Sequence, residues 1–449
     1  MESRFHHALK IQTEVCTGCS RCMMSCPTQA IRVRKGKAVL LDERCVDCGE
    51  CYRVCPVGAI IIEQDDFNRI FEYRCRVALL PAVMIGQVPD SIPAQQIFSV
   101  LLELGFTHVF EVEKGVSLLH QAILDHQRQQ GIAKPLISSF CPAIIRLIQV
   151  KFPALVDHIL PLKPPLEVAA LNIRRQLSVD GLADHQIGIF YVTPCAAKIA
   201  SVKSPADGNP SPINGIINMN YLYNKVLRKA IQGNDESCML PDHSTVVPAD
   251  LIWSLTKGES SRVAGRAVAV DGIHHVISFL ERVENDEMDD VDYLELRACD
   301  ESCAGGVLLT GDRFLTVERL HNHMQELSAR DIPDTAAKDT WHAFQDEIGG
   351  QLGINRIEPR PVQQLSSDRT IAMEKLQRIR ELMKILPGVD CGACGTPDCQ
   401  TLAEDIVRDM GSVNQCIFIQ RRFEEQGIMD ASESIQIMKS IWGDEKIKG

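Results

Sequence analysis

Residues 187–195 read IGIFYVTPC, an apolar strand-like run that ends on a cysteine. The ending recurs at LISSFCP (136–142), where the cysteine is Cys141, and at VDYLELRAC (291–299), where it is Cys299. Each cysteine stands just past the C-terminal end of an expected strand, the edge at which open parallel α/β sheets build their sites. Outward from these runs, strand-like segments at 77–85, 107–112, 136–140, 187–193, 215–219, 267–271 and 291–298 alternate with amphipathic ones at 94–104, 115–130, 165–176, 221–232 and 273–284. That alternation predicts an α/β domain with mostly parallel sheets over residues 73–365. The proline-rich 204–214 and the acidic 284–292 read as surface loops.

The flanks are organised differently. CTGCSRCMMSCP (16–27) is repeated 29 residues later as CVDCGECYRVCP (45–56). Between the copies IRVRKGKAVLLDE makes two short β-like runs around a turn at Lys35-Gly36-Lys37, and VGAIIIEQDD follows as a matching strand. Residues 1–72 therefore read as a small domain with too little core of its own, held by metal. Residues 366–449 hold a helix at 371–385, the cluster CGACGTPDC (391–399), a helix at 400–410, Cys416 and a helical tail.

Composition narrows the class. The 449 residues suit two or three domains, and 45% apolar residues argue against disorder. Lys+Arg 47 against Asp+Glu 59 leaves a net charge of −12, so the basic stripe that nucleic acid requires is not expected. MESRFHHALKIQTEV has no apolar secretory core, and the longest clean apolar stretch, 77–86, is about half a membrane span and contains Pro81. A soluble cytoplasmic protein is expected. Eighteen cysteines in a chain of this kind then mean metal, not disulfides.

C-x2-C-x2-C-x3-C-P in two copies is the bacterial two-cluster ferredoxin spacing, in which the fourth cysteine serves the other cube. One 4Fe–4S cube takes Cys16, Cys19, Cys22 and Cys55; the other takes Cys45, Cys48, Cys51 and Cys26. Zinc is the competing use of such sulfur sets. Cys391, Cys394, Cys399 and Cys416 make a third set, and LPGVDCGACGTPDCQTLAEDIV resembles a small iron–sulfur domain of several redox proteins. Cys141, Cys195, Cys299 and Cys303 have the ligand count of one more cluster, and Cys75 and Cys238 read as buried, free thiols.

At these residues the chain resembles the iron-only (di-iron) hydrogenases. SSFCPAIIRLIQVKFPAL is similar to their first signature, TPCAAK to the second and ELRACDESCAGG to the third, and AVDGIHHVISFLERV is similar too. The resemblance implies a two-lobed catalytic domain between a ferredoxin-like α+β domain and a small helical iron–sulfur domain. It implies that Cys141, Cys195, Cys299 and Cys303 bind a cube, that Cys303 also bridges to a di-iron unit with carbonyl, cyanide and dithiolate ligands, and that Lys198 contacts a cyanide. A cation beside an anionic acceptor is chemically sensible.

Departures from the family pattern carry their own expectation. Phe140 stands where efficient members have a relay cysteine, Ser201 where a glutamate usually follows the lysine, and Thr193 and Arg297 where methionines pack on the cofactor. Proton delivery needs groups that change protonation, so slow turnover is expected. These features resemble the sensory branch, which implies hydrogen sensing or redox signalling. Electrons would pass through the accessory clusters to a separate partner, a ferredoxin or signalling protein. Ile435, Ile437, Met438, Ile441 and Trp442 form an apolar face of the tail, for docking or for packing on its own domain. Two other functions compete: a non-catalytic iron–sulfur protein holding only a central cube, as in relatives that act in cluster assembly, and a plain electron-transfer subunit. Lys198 and Cys303-Ala-Gly-Gly are needed only where a di-iron unit is present.

Overall fold

The computed structural model describes residues 5–232, 246–329, 349–360, 364–366 and 368–447, and Cys238 lies outside them. Two compact units divide the chain: Gln64–Pro359, and Met1–Glu63 together with Arg360–Gly449.

In the smaller unit β1 (Leu9–Ile11) pairs antiparallel with β4 (Ile60–Ile62), and β2 (Ile31–Arg34) with β3 (Lys37–Leu40). Lys35 and Gly36 both take positive φ, 50° and 72°, as a two-residue hairpin turn with the strand twist requires. Between the strands lie the short helices Arg21–Met24 and Glu50–Val54, which carry Cys22 and Cys51. The C-terminal part is helical, at Arg369–Ile385, Cys399–Val407, Ile417–Glu425 and Ala431–Trp442. The tail packs on its own unit: Ile441 is fully buried and the Trp442 indole donates to the Ala393 carbonyl at 2.8 Å, while Ile435 stays exposed.

The larger unit is α/β with two wholly parallel sheets, as the alternation predicts. One runs β6 (His108–Glu111), β5 (Cys75–Leu80), β8 (Ile187–Thr193), β9 (Gly215–Asn218). The other runs β10 (Ala267–Val270), β11 (Tyr293–Leu296), β7 (Leu136–Ile137). β8 is buried at all seven positions, which is why IGIFYVT reads as one apolar run without alternation. Phe190 and Val192 of β8 pack with Leu80, Val83, Leu101, Phe106 and Leu222 in the main core.

Two strands are shorter than expected. The run at 77–85 stops at Leu80, because Pro81 has no N–H for the ladder and instead precedes the helix Ala82–Gly86. The run at 136–140 ends at Ile137: the Ser138 hydroxyl accepts from the Phe140 N–H at 3.2 Å and donates to Glu259, bending the chain out of the sheet before Cys141. No helix among the described residues is long and apolar enough to cross a membrane.

Candidate functional site

The ferredoxin-spaced cysteines come together in two sets. Cys16, Cys19, Cys22 and Cys55 line one small cavity, with Gly18, Ala38 and Ala59 in its walls. Cys26 is an electrostatic neighbour of Cys45, Cys48 and Cys51, so each repeat does hand its fourth cysteine to the other group. The repeat is visible in the second contacts as well. Ala30 N–H donates to Cys26 Sγ at 3.2 Å, and Ala59 N–H donates to Cys55 Sγ at the same distance. Burial, then the other sulfurs, pushes the Cys22 thiol up to about 12. Four crowded thiols of this kind are a poor end state; metal relieves the crowding by replacing their protons.

The third set, Cys391, Cys394, Cys399 and Cys416, lines a second small cavity closed by Pro387, Leu402 and Ile417. Cys399 opens the helix Cys399–Val407 and Cys416 caps the next one, so the intervening helix brings the fourth sulfur back to the first three. The Thr396 hydroxyl lies 3.0 Å from Cys394 Sγ, and Cys399 N–H donates to Asp390 at 2.8 Å.

The central cysteines are delivered by both sheets of the larger unit. Cys141 follows β7 and caps the helix Pro142–Lys151; Cys195 follows β8 and caps the helix Ala196–Lys203. Cys299 follows β11, and its carbonyl accepts from Ser302 N–H at 3.1 Å in the turn that carries Cys303. Gly305 is required there, since a Cβ would lie 1.8 Å from the Asp300 carbonyl oxygen. Cys195 senses both Cys141 and Cys303, and burial takes its thiol up to about 12.

Lys198, 4% exposed, donates from Nζ to Cys303 Sγ at 3.4 Å. Burial alone would lower its pKa, but Cys303, Tyr191 and Cys195 reverse that, and the ammonium is held charged. Two cations lie against the Phe140 ring, with Lys198 Nζ 4.7 Å and the Arg297 guanidinium carbon 3.9 Å from its centroid. Arg297, 2% exposed, bonds Glu259 at 2.7 Å; Glu259 also accepts from Tyr293 at 2.6 Å and from Ser138 at 2.7 Å, and Glu295 lies 3.7 Å from the guanidinium. Ser201, one turn beyond Lys198, turns its hydroxyl back to the Lys198 carbonyl at 3.0 Å. Cys75 is buried beside His108, 3.3 Å from Nδ1, apart from these groups.

Two features escaped the sequence. Glu113, 3% exposed, accepts from Ala82 N–H at 2.9 Å and shares the electrostatic field of Lys198; burial raises its carboxyl to about 8. The Arg297–Glu259–Glu295–Tyr293 network joins residues from separate segments, and no local spacing announces it.

The chemistry of the donors fits an anionic, sulfur-rich group. Lys198 is a buried cation that donates to a cysteine sulfur, and Trp253 Nε1, Ser254 Oγ and Arg297 Nε are buried without an acceptor among the described residues. Trp253 packs with Phe140, Cys141 and Cys303, and the Ser254 carbonyl accepts from Cys303 N–H at 3.1 Å. Buried donors of this kind ordinarily find acceptors. The cluster sulfides and diatomic ligands of such a group would supply them.

Residues 75–236 match the family described as iron only hydrogenase large subunit, C-terminal domain. That span contains Cys141, Cys195 and Lys198, while Cys299 and Cys303 lie beyond it. Residues 8–65 match a 4Fe-4S dicluster domain and residues 386–418 an Fe-S cluster family. The NADP-reducing hydrogenase subunit HndD of Solidesulfovibrio fructosivorans is 23% identical over 215 residues, 45% of this chain and 34% of that protein. The chain thus spans about a third of the length of this curated relative. A solved variant of the FeFe-hydrogenase HydA1 from Chlamydomonas reinhardtii overlays 66% of this chain and 96% of its own, at 15% identity and a TM-score of 0.45. An FeFe-hydrogenase studied for oxygen inactivation of its H cluster gives 16% identity and a TM-score of 0.47. Iron–sulfur families are thus matched on either side of a segment, residues 75–236, that is similar to the iron-only hydrogenase family.

Proposed function

We propose that this protein reacts with hydrogen at its central site, H2 ⇌ 2H+ + 2e−, slowly, and that it serves hydrogen sensing or redox signalling. The observation that carries this reading is the buried Lys198 ammonium donating to Cys303 Sγ beside Cys195. Cys141, Cys195, Cys299 and Cys303 would hold a 4Fe–4S cube, with Cys303 shared to a di-iron unit carrying carbonyl, cyanide and dithiolate ligands. That unit, when bound, supplies the metal chemistry on hydrogen. Lys198 then orients and stabilises the anionic side of the group, since a fixed cation in a dry site is worth more than in water. Trp253 and Phe140 keep water away, and Ser254 offers its hydroxyl as a donor.

Slow turnover follows from what surrounds the site. Phe140 has no exchangeable proton, and Ser201 spends its hydroxyl on a backbone carbonyl. Arg297 brings positive charge without a proton to give, because Glu259 and Glu295 hold it charged more firmly than burial opposes. A relay missing such groups is expected to lose the ~10²–10⁴-fold that a positioned acid–base group provides. Electrons would leave for a ferredoxin-like or signalling partner through the accessory clusters.

A cube without the di-iron unit is the competing reading. The close packing of Phe140 against Lys198, Arg297 and Cys303 favours it. Infrared spectroscopy of protein matured with the di-iron cofactor separates the two. Carbonyl and cyanide stretching bands are expected, and their absence from fully matured protein would rule out hydrogen chemistry.

A further inference from the structure

The third cysteine set belongs to the same compact unit as the ferredoxin segment, and the seam between them is fixed by buried charge. Arg32 gives Nε and Nη2 to the two carboxylate oxygens of Asp405 at 2.7 and 2.9 Å, with both side chains almost fully buried. Arg44 bonds Glu404 at 2.9 Å, and Gln29 bonds Asp398 at 2.6 Å. Backbone bonds add register: Val33 N–H to the Gly395 carbonyl at 3.0 Å, Lys35 N–H to Ser440 and Gly36 N–H to Ile441, both at 2.9 Å. A bidentate arginine–carboxylate pair sets geometry as well as attraction.

This seam brings two ligand loops together. Gly392 stands between Cys391 and Cys394, and a Cβ there would lie 3.1 Å from Met24 Sδ and 3.2 Å from Met23 Cε. Its φ of +71° also favours glycine, so the loop approaches with bare backbone. Met23 and Met24 in turn stand between Cys22 and Cys26, which belong to the two different ferredoxin sets. One van der Waals contact therefore separates the residue next to a ligand of the third set from the residue next to Cys22. The thioether is soft and polarisable, and Met23 is wholly buried.

We propose that the C-terminal cluster is wired to the ferredoxin pair across the Met23–Met24/Gly392 contact, so that the two terminal segments form one electron-transfer module. The step is a one-electron exchange: a reduced cube returns to its oxidised level, an oxidised cube takes up the electron, and no proton moves. Tunnelling falls off exponentially with distance, which is the reason to fix the seam with buried pairs. The inference rests on the reading that these three cysteine sets hold 4Fe–4S cubes and is independent of hydrogen chemistry at the central site.

The test uses the full chain, reconstituted anaerobically with iron and sulfide and reduced with dithionite. Low-temperature electron paramagnetic resonance should show the ferredoxin signals broadened and fast-relaxing through the third spin, and Cys399→Ala should remove that effect. After flash photoreduction, Met24→Ala, at a half-exposed position, should slow electron redistribution while iron content and broadening stay at the parent's level. Full iron loading with signals that simply add would overturn the wiring alone. Zinc in place of iron at the C-terminal cysteines would overturn both the wiring and that part of the cluster reading. An unchanged redistribution rate in Met24→Ala would refute the methionine contact as the path.

Discussion

Glu113 shows how one buried carboxyl can be written into the stability of the whole fold. Its ordinary value is 4.5, and burial raises it to about 8, opposed by Ala82 N–H and by Lys198 and reinforced by Glu111. The folded protein thus holds a proton that the unfolded chain releases. Its stabilising effect is full below pH 4.5, declines as pH rises, and is gone once pH passes about 8. Glu113→Gln keeps an acceptor for Ala82 N–H and carries no charge, so it should remove this slope. Relative to the parent it should gain on the order of 3–5 kcal/mol above pH 8, at about 1.4 kcal/mol per pH unit. Anaerobic chemical denaturation from pH 5 to 9 checks this, and parallel curves for parent and variant would refute it. Arg297 is the complementary case. The sequence marks it only as the residue standing where a methionine was expected, whereas the structure makes it the centre of a paired network stacked on Phe140.

Among elements, the β2–β3 hairpin finds a partner 373 residues on in the chain. Asp405 is 1% exposed and faces both Arg32 and Arg34. Asp405→Ala would strand a buried guanidinium, and breaking such a pair costs about 3–5 kcal/mol. Glu381→Ala, which removes an exposed i,i+3 pair with Arg378 at 3.3 Å, should cost under about 1 kcal/mol. Denaturant titration of the reconstituted chain compares the two. Equal losses would mean that the seam carries no special share of stability. Elsewhere in the chain, the expected helix at 273–284 is found at Ile273–Glu284, because its apolar positions recur on one face. The strands at 77–85 and 136–140 end early because Pro81 and Ser138 act through a missing N–H and a side-chain hydrogen bond, which hydropathy does not register.

For the whole molecule, sixteen cysteines in four sets predict about 16 iron atoms per chain after anaerobic reconstitution and before any di-iron maturation. A value near eight would mean that two sets are misread. The two ferredoxin sets and the C-terminal set were legible because metal-ligand spacing is a local property: tight loops supply three sulfurs, and their order survives any arrangement of the rest. The α/β class was legible for a similar reason, since the periodicity of burial is written along each element. The environment of the central site was not. Lys198, Phe140, Arg297, Glu259 and Glu113 meet only after two sheets have formed and turned their strand ends together. The union of residues 1–63 with 360–449 was equally hidden. Spacing fixes which atoms can share a metal, but burial and long-range ion pairing depend on what the fold brings alongside, and only the tertiary structure decides that.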